Sequence, residues 1–486
     1  MSLALSVVAA LMTTATPAAA FRAAIVVGVN ESFTDSQANL RYADDDAARY
    51  AELLSAHVDH LELLTVLDED SQEVFVDAAR SARVPTEAGL MQALNRARAR
   101  AKSARILGRR TELYFVYIGH GRVQGGVGQV RLLGGQLDRP TLAQQVLSDA
   151  LFDRKHLVVD ACSAYMLVNA RGEAEPDVDA AFERFFEAQT LDQYPDVGAV
   201  LATSGIGPTH EWSRYQGGVF SHELRSALTG AADVNRDGRV DYLEVEAFVA
   251  AANFEVPALK GRPRVYVRSP RIERGAALME IDASLPALEL PKALKGHYVV
   301  EDRRGLRYAE LHKEAGFVMA LSLLPAHSYA LRDAEGAELL RIEAPSGRLR
   351  VAMPLEPGPV LGWARGDDAP PGLFARPFGP DFSAGYAAQW KAAASARLAA
   401  SPPSRAQTWV RPVSASVVGA LGLTAAVLSI WQNEVAKAHY EDYQGAFSRP
   451  DRDAAQASAS ASRRRSVGFA VGAGVGVLTA VGLLIL

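Results

Sequence analysis

Two apolar runs constrain how the first half of this chain can fold. Leu113-Tyr114-Phe115-Val116-Tyr117-Ile118 leads into Gly119-His120-Gly121, and Leu157-Val158-Val159 leads into Asp160-Ala161-Cys162. Both runs are short, rich in β-branched and aromatic residues, and without alternating polar positions, as expected of strands buried on both faces of a parallel sheet. Ala23–Asn30, Leu61–Leu67 and Gly198–Ala202 repeat the theme, while Tyr50, Ala51 and Leu54 fall at helical spacing. A further helix runs from Pro85-Thr86-Glu87 to about Ser103 with Thr86 as its N-cap. Asp44, Asp45 and Asp46 crowd the amino end of the earlier helix, where the dipole favours negative charge. Strands and helices in alternation predict an α/β domain over residues 21–255, a parallel sheet flanked by helices. In such sheets ligands collect beyond the carboxyl ends of the strands. His120, Asp160 and Cys162 all fall there.

The 486 residues leave room for further domains, and a net charge of -5 offers no basic stripe for nucleic acid. Residues 1–20 are apolar from Leu3 to Met12 and close on Ala18-Ala19-Ala20, which predicts a signal peptide cut before Phe21, although Lys and Arg are missing from its start. Cys162 is the only cysteine, so no disulfide can form within the chain. Beyond Pro257 short runs broken by Gly, Pro and Asp, such as Arg264–Val267, His297–Val300, Phe317–Leu321, Ser328–Leu331 and Arg348–Val351, predict a small antiparallel, sandwich-like accessory domain over 257–375. A helix and juxtamembrane linker follow over 381–411. Residues 413–431 and 466–486 are uncharged runs, each near the roughly 20 residues that span hydrocarbon. The loop between them, 432–465, holds Lys437, Arg449, Arg452 and Arg463-Arg464-Arg465, so it is expected on the cytoplasmic side. Residues 21–411 are then expected outside, in the periplasm or extracellular space, tethered to the cell membrane. A cytoplasmic enzyme of opposite topology is the alternative.

Gly119-His120-Gly121 and Asp160-Ala161-Cys162, each closing a strand, together with Leu40–Ala47, Thr86 and Gly218-Val219-Phe220, resemble the caspase and metacaspase superfamily of cysteine peptidases over residues 21–252. The resemblance implies a caspase-like fold and a Cys-His dyad. Cys162 would be the nucleophile, active as thiolate, and His120 the general base and acid. The backbone N–H groups of Gly121 and Cys162 would hold the oxyanion. By the same resemblance Asp46 and Asp160 line a pocket for the residue before the cut bond. Two buried carboxylates call for a cation between them, so cleavage after Arg or Lys is expected. The sequence departs from the family at Ile118, commonly Ser, and at Ser163-Ala164-Tyr165, commonly a polar residue followed by Ser-Gly. His210 and Glu211 fall near the substrate loops of that fold, and Arg171 is a candidate self-cleavage site. A rival reading keeps the fold but not the activity, as an inactive scaffold serving as a membrane-anchored sensor or adaptor.

Residues 233–244 match an EF-hand loop at each diagnostic position: Asp233, Asn235, Asp237, the Arg239 carbonyl, Asp241 and Glu244 as ligands to Ca2+, with Gly238 at the sharp turn. The partners expected are thus calcium, a polypeptide substrate and the membrane. No organic cofactor and no nucleic acid are expected.

Overall fold

The computed structural model describes residues 19–161 apart from 36 and 126, then 191–203, 211–212, 215–256, 263–353 apart from 326 and 344, 355, and 372–389. Most of the signal segment, Cys162, Ser163-Ala164-Tyr165, Arg171, His210 and both expected membrane spans lie outside the described residues. The chain divides into two compact units, Met1–Ala394 and Ser395–Leu486, and the second falls wholly outside them. Among the described residues no helix is long and apolar enough to cross a membrane.

In chain order, β1 (Phe21–Val29), α1 (Ala43–Ser55), β2 (His60–Leu64), α2 (Glu69–Val74), α3 (Val76–Ser81), α4 (Glu87–Ile106) and β3 (Thr111–Gly119) come first. The Thr86 hydroxyl caps α4 by accepting the Gly89 N–H at 3.0 Å, an interaction that contributes about 1 kcal/mol. After His120 the chain makes a three-stranded sheet of β4 (Gly121–Gln124), β5 (Val127–Leu132) and β6 (Gly135–Asp138). A short helix, α5 (Arg139–Leu142), then leads to β7 (Arg154–Asp160), and β8 (Val197–Thr203), β9 (Glu211–Trp212), β10 (Gly217–Gly218) and α6 (Val219–Ser226) follow. β11 (Arg239–Asp241) leads into α7 (Tyr242–Ala252).

These elements build a six-stranded sheet in the order β12-β8-β7-β3-β1-β2, where β12 is Arg264–Arg268. All neighbours run parallel except β12, which pairs antiparallel with β8. Alternation along each strand serves two cores. Ala24, Val26, Tyr114, Val116 and Val158 join the cluster that also holds Tyr50 and Leu54 of α1. Ala23, Ile25, Leu113, Phe115, Leu157 and Val159 join Leu90, Leu94 and Ala101 of α4. The sheet is thus covered on both faces, as the apolar runs require. The result is an α/β fold with a mixed, largely parallel sheet, compatible with a caspase-like fold.

The run Arg264–Val267 had the texture of the later β region, yet it completes the main sheet, pairing from Arg264↔Thr203 to Arg268↔Ala199. A short apolar run carries no signal of which sheet it joins. The sheet therefore extends past residue 255. Next, β13 (Ala277–Glu280) pairs antiparallel with β11. β14 (Ala287–Leu290), β15 (Gly296–Asp302), β16 (Arg307–Lys313), β17 (Met319–Ser322), β18 (Tyr329–Asp333), β19 (Glu338–Ile342) and β20 (Arg348–Arg350) form two sheets, β17-β14-β20 and β16-β15-β18-β19. The β14–β20 pair is parallel, so this region is not purely antiparallel. Leu288, Leu311 and Leu331 share the cluster that holds Tyr50 and Phe248. The two regions are thus fused through one core. Residues 380–389 are helical, at the start of the stretch expected to be so.

Candidate functional site

β3 and β7 are neighbours in the register Ile118↔Asp160, so both strands end at one rim of the sheet. His120 follows β3 directly and is 2% exposed. Its carbonyl accepts the Arg131 N–H of β5 at 2.9 Å, and the Tyr117 hydroxyl approaches the same carbonyl at 3.1 Å. Its ring Nδ1 meets the Gln37 side-chain amide at 3.0 Å. A half-turn of that amide serves either imidazole tautomer. Nε2 is buried and has no hydrogen-bond partner among the described residues. Burial lowers the imidazole pKa, opposed by a hydrogen bond to the Ala38 backbone. The ring is therefore held neutral and oriented at Nδ1, with Nε2 available to exchange a proton. Gly121 opens β4, opposite Val130.

The carboxylates converge on the glycine pair of β10. Asp46, 1% exposed on α1, accepts the Gly218 N–H at 2.6 Å. Asp160, 3% exposed, accepts the Ser221 hydroxyl at 2.7 Å. A Cβ at Gly218 would stand 3.1 Å from Asp160 and 3.3 Å from Asp46, and one at Gly217 would stand 2.5 Å from Asp46. Only glycine lets the strand pass this close to both acids. Burial pushes the Asp160 pKa up to about 7, with Asp46 adding to the rise and Ser221 opposing it. Glu211 is also raised to about 7, by burial first and then by Asp46 and Asp160.

The sequence alone gave no sign of what faces these acids from behind. Arg225 of α6 lies with Nη1 at 3.1 Å from Asp46 Oδ1, and Arg49 of α1 at 3.8 Å. Asp46 is thus already met by resident cations, and its pKa is raised by burial against the pull of Arg225, Arg49 and the Gly218 amide. Asp44, Asp45 and Asp46 stand in the first turn of α1, as expected, without capping it. Its N-cap, Tyr42, makes no side-chain cap bond. Glu211 instead accepts the N–H groups of Arg41 and Tyr42, each at 2.8 Å. Asp44 is turned to the Asn30 side-chain amide at 2.7 Å and the Asp68 N–H at 3.2 Å.

The loop 233–244 joins the helical segment ending at Ala231 to α7. Asp233 accepts the Gly238 N–H at 3.1 Å, Asn235 that of Asp237 at 2.8 Å, and Asp237 that of Arg239 at 2.9 Å. Gly238 takes φ +76° and Arg236 φ +62°, the left-handed conformations that fold the loop over itself. Asp241 and Glu244 close a capping box on α7. Among the described residues no three acidic, imidazole or thiol groups form a ready metal cage. However, Asp233 Oδ1 and Glu244 Oε1 are buried without hydrogen-bond partners among the described residues. Burial raises Asp233 and pushes Glu244 up to about 8, with Asp241, Asp233 and Asp237 adding to the latter. Orphaned acidic oxygens in an acid-rich loop suit a hard cation.

Comparison with models of known families finds no match to this chain, and comparison with curated proteins finds none either.

Proposed function

We propose that this chain is a cysteine endopeptidase of caspase-like fold that cuts after Arg or Lys, exported and tethered to the cell membrane through 413–431 and 466–486. Cys162 acts as nucleophile and His120 as general base and acid. The observation that carries the reading is the buried, oriented His120, whose Nε2 has no hydrogen-bond partner among the described residues and which follows β3 at the rim to which β7 delivers Asp160 and Ala161. Cys162 follows Ala161 directly in the sequence.

In the acylation step His120 takes the proton of the Cys162 thiol, the sulfur bonds to the scissile carbonyl carbon, the carbon–nitrogen bond breaks, and the leaving amine receives that proton from His120. Water, deprotonated by His120, then hydrolyses the thioester and the thiol is restored. The N–H groups of Gly121 and Cys162 stabilise the oxyanion in both steps, where losing one donor costs on the order of a hundredfold in rate. Asp160 and Glu211, poised near pH 7, ionise fully when a cationic substrate side chain enters.

Calcium belongs to the same proposal. Asp233, Asn235, Asp237, the Arg239 carbonyl, Asp241 and Glu244 would hold it, and the ion would supply the charge that relieves their repulsion. Bound there, it would stiffen the helix–loop–helix rather than take part in bond cleavage.

The test is hydrolysis of fluorogenic peptides ending in Arg, Lys or Asp by the full chain and by Cys162→Ala. Cleavage after Arg and Lys, lost in the variant, is expected. A variant that keeps its activity overturns the assignment.

A further inference from the structure

The cation expected between the candidate pocket acids is, for Asp46, supplied by the chain itself. Arg225 is 3% exposed on α6, its Nη1 lies 3.1 Å from Asp46 Oδ1, and neither Nη1 nor Nη2 has a hydrogen-bond partner among the described residues. Arg225 is thus held by its pairing with Asp46 and by the Tyr50 ring, 5.6 Å from its guanidinium carbon. The other Asp46 oxygen accepts the Gly218 N–H, and the Gly218 backbone lies between Asp46 and Asp160. A guanidinium so placed cancels one carboxylate of the pair that a basic substrate would otherwise meet.

We infer that Arg225 is a specificity-setting positioning residue, a resident counter-ion that restrains the preference for basic side chains by acting through Asp46. This inference rests on the peptidase reading above. Arg49, 3.8 Å from the same oxygen, donates to the Tyr215 carbonyl at 2.8 Å and so is tied elsewhere. Its pKa is lowered to about 10, by burial first and then by Arg225, which marks the two guanidiniums as close neighbours competing for one acid. Removing Arg225 leaves Asp46 able to add its charge to the field at Asp160. At protein-interior distances of several ångströms that is worth roughly a tenfold change in affinity for a cation.

The experiment is a double-mutant cycle on the full chain, reading the ratio of kcat/KM for an Arg substrate over its neutral isostere citrulline. Arg225→Gln is expected to raise the ratio about tenfold through KM, and Asp46→Asn to lower it, because Arg225 then repels the substrate cation. The double variant, in which an ion pair becomes a neutral pair, is expected to return to within about threefold of the starting ratio. Arg225→Lys is expected to keep the starting ratio. A double variant that stays at the Asp46→Asn value, or an Arg225→Gln ratio that does not move in protein still labelled at Cys162 by a thiol-directed warhead, overturns the inference. If Arg225→Gln does not fold, the comparison of Asp46→Asn with the double variant still decides. Should the unaltered chain neither hydrolyse nor label, the peptidase reading fails separately. Calorimetric binding of agmatine to the same four proteins then tests the ranking, and a different order overturns it.

Discussion

Glu310 offers a quantitative test of how the two regions of the described unit are joined. It is 2% exposed on β16, where Oε2 meets His222 Nε2 of α6 at 3.0 Å and Arg307 Nη1 at 2.5 Å, while Oε1 meets His297 Nε2 of β15 at 2.7 Å. Its own N–H donates to the Ser226 hydroxyl at 3.0 Å. Burial opposes the charge, yet Arg307, His222 and His297 hold the Glu310 carboxyl well below its usual range. Glu310→Gln keeps the shape and removes the charge, leaving Arg307 buried beside a neutral amide. Breaking one partner of such a pair costs about 3–5 kcal/mol. For a unit of this size that lowers Tm by roughly 4–8 °C, measured by circular dichroism at pH 7.5.

The pH dependence of the same cluster has a definite sign. A depressed carboxylate contributes stability that is complete above its ordinary value of 4.5 and lost as pH falls through the lower folded value. His222, lowered by burial to about 4 from 6.5, is neutral when folded, so its protonation in the unfolded chain erodes stability as pH falls from 6.5 toward 4. Glu310→Gln should therefore weaken the response below the ordinary carboxylate value. A loss under about 1 kcal/mol at pH 7.5 would refute the claim that this cluster joins α6 to the β strands.

Three further outcomes are expected. With Asp160 and Glu211 both raised to about 7, kcat/KM for an Arg peptide should climb as pH rises through 7 more steeply than for citrulline, and parallel profiles would count against these acids. In the absence of a basic ligand the same two groups cost stability as pH rises from their ordinary values, 3.8 and 4.5, through 7, because the unfolded chain ionises first. Millimolar calcium should raise Tm of the full chain by about 2 °C or more relative to chelator, an effect abolished by Glu244→Gln and reduced by Asp233→Asn. Equal melting with and without calcium would rule the loop out as a site.

What the sequence made legible was whatever is decided locally. Buried strands announce themselves by unbroken apolar runs, and β1, β3, β7 and β8 fall where those runs stand. Thr86 caps its helix because capping needs only the residues that follow it. The turn chemistry of the loop 233–244 is likewise local, and its Asx hydrogen bonds fall at Asn235 and Asp237. Long-range pairings were not legible. Arg225 reaches Asp46 and Glu211 reaches the start of α1 only after the chain has folded, and no spacing rule connects them. The sheet membership of β12 was hidden for the same reason: an apolar run records that it is buried, not beside which neighbour.

The antiparallel pairing of β12 with β8 also bears on where this polypeptide could be divided. Ending it at residue 255 would strip the hydrogen-bonding partners from Ala199–Thr203 and leave a raw strand edge, the kind of template on which chains stack into aggregates. The same cut would remove Ala277–Glu280 from beside Arg239–Asp241, loosening the loop expected to seat calcium. The smallest piece that keeps both seams closed must extend beyond Glu280.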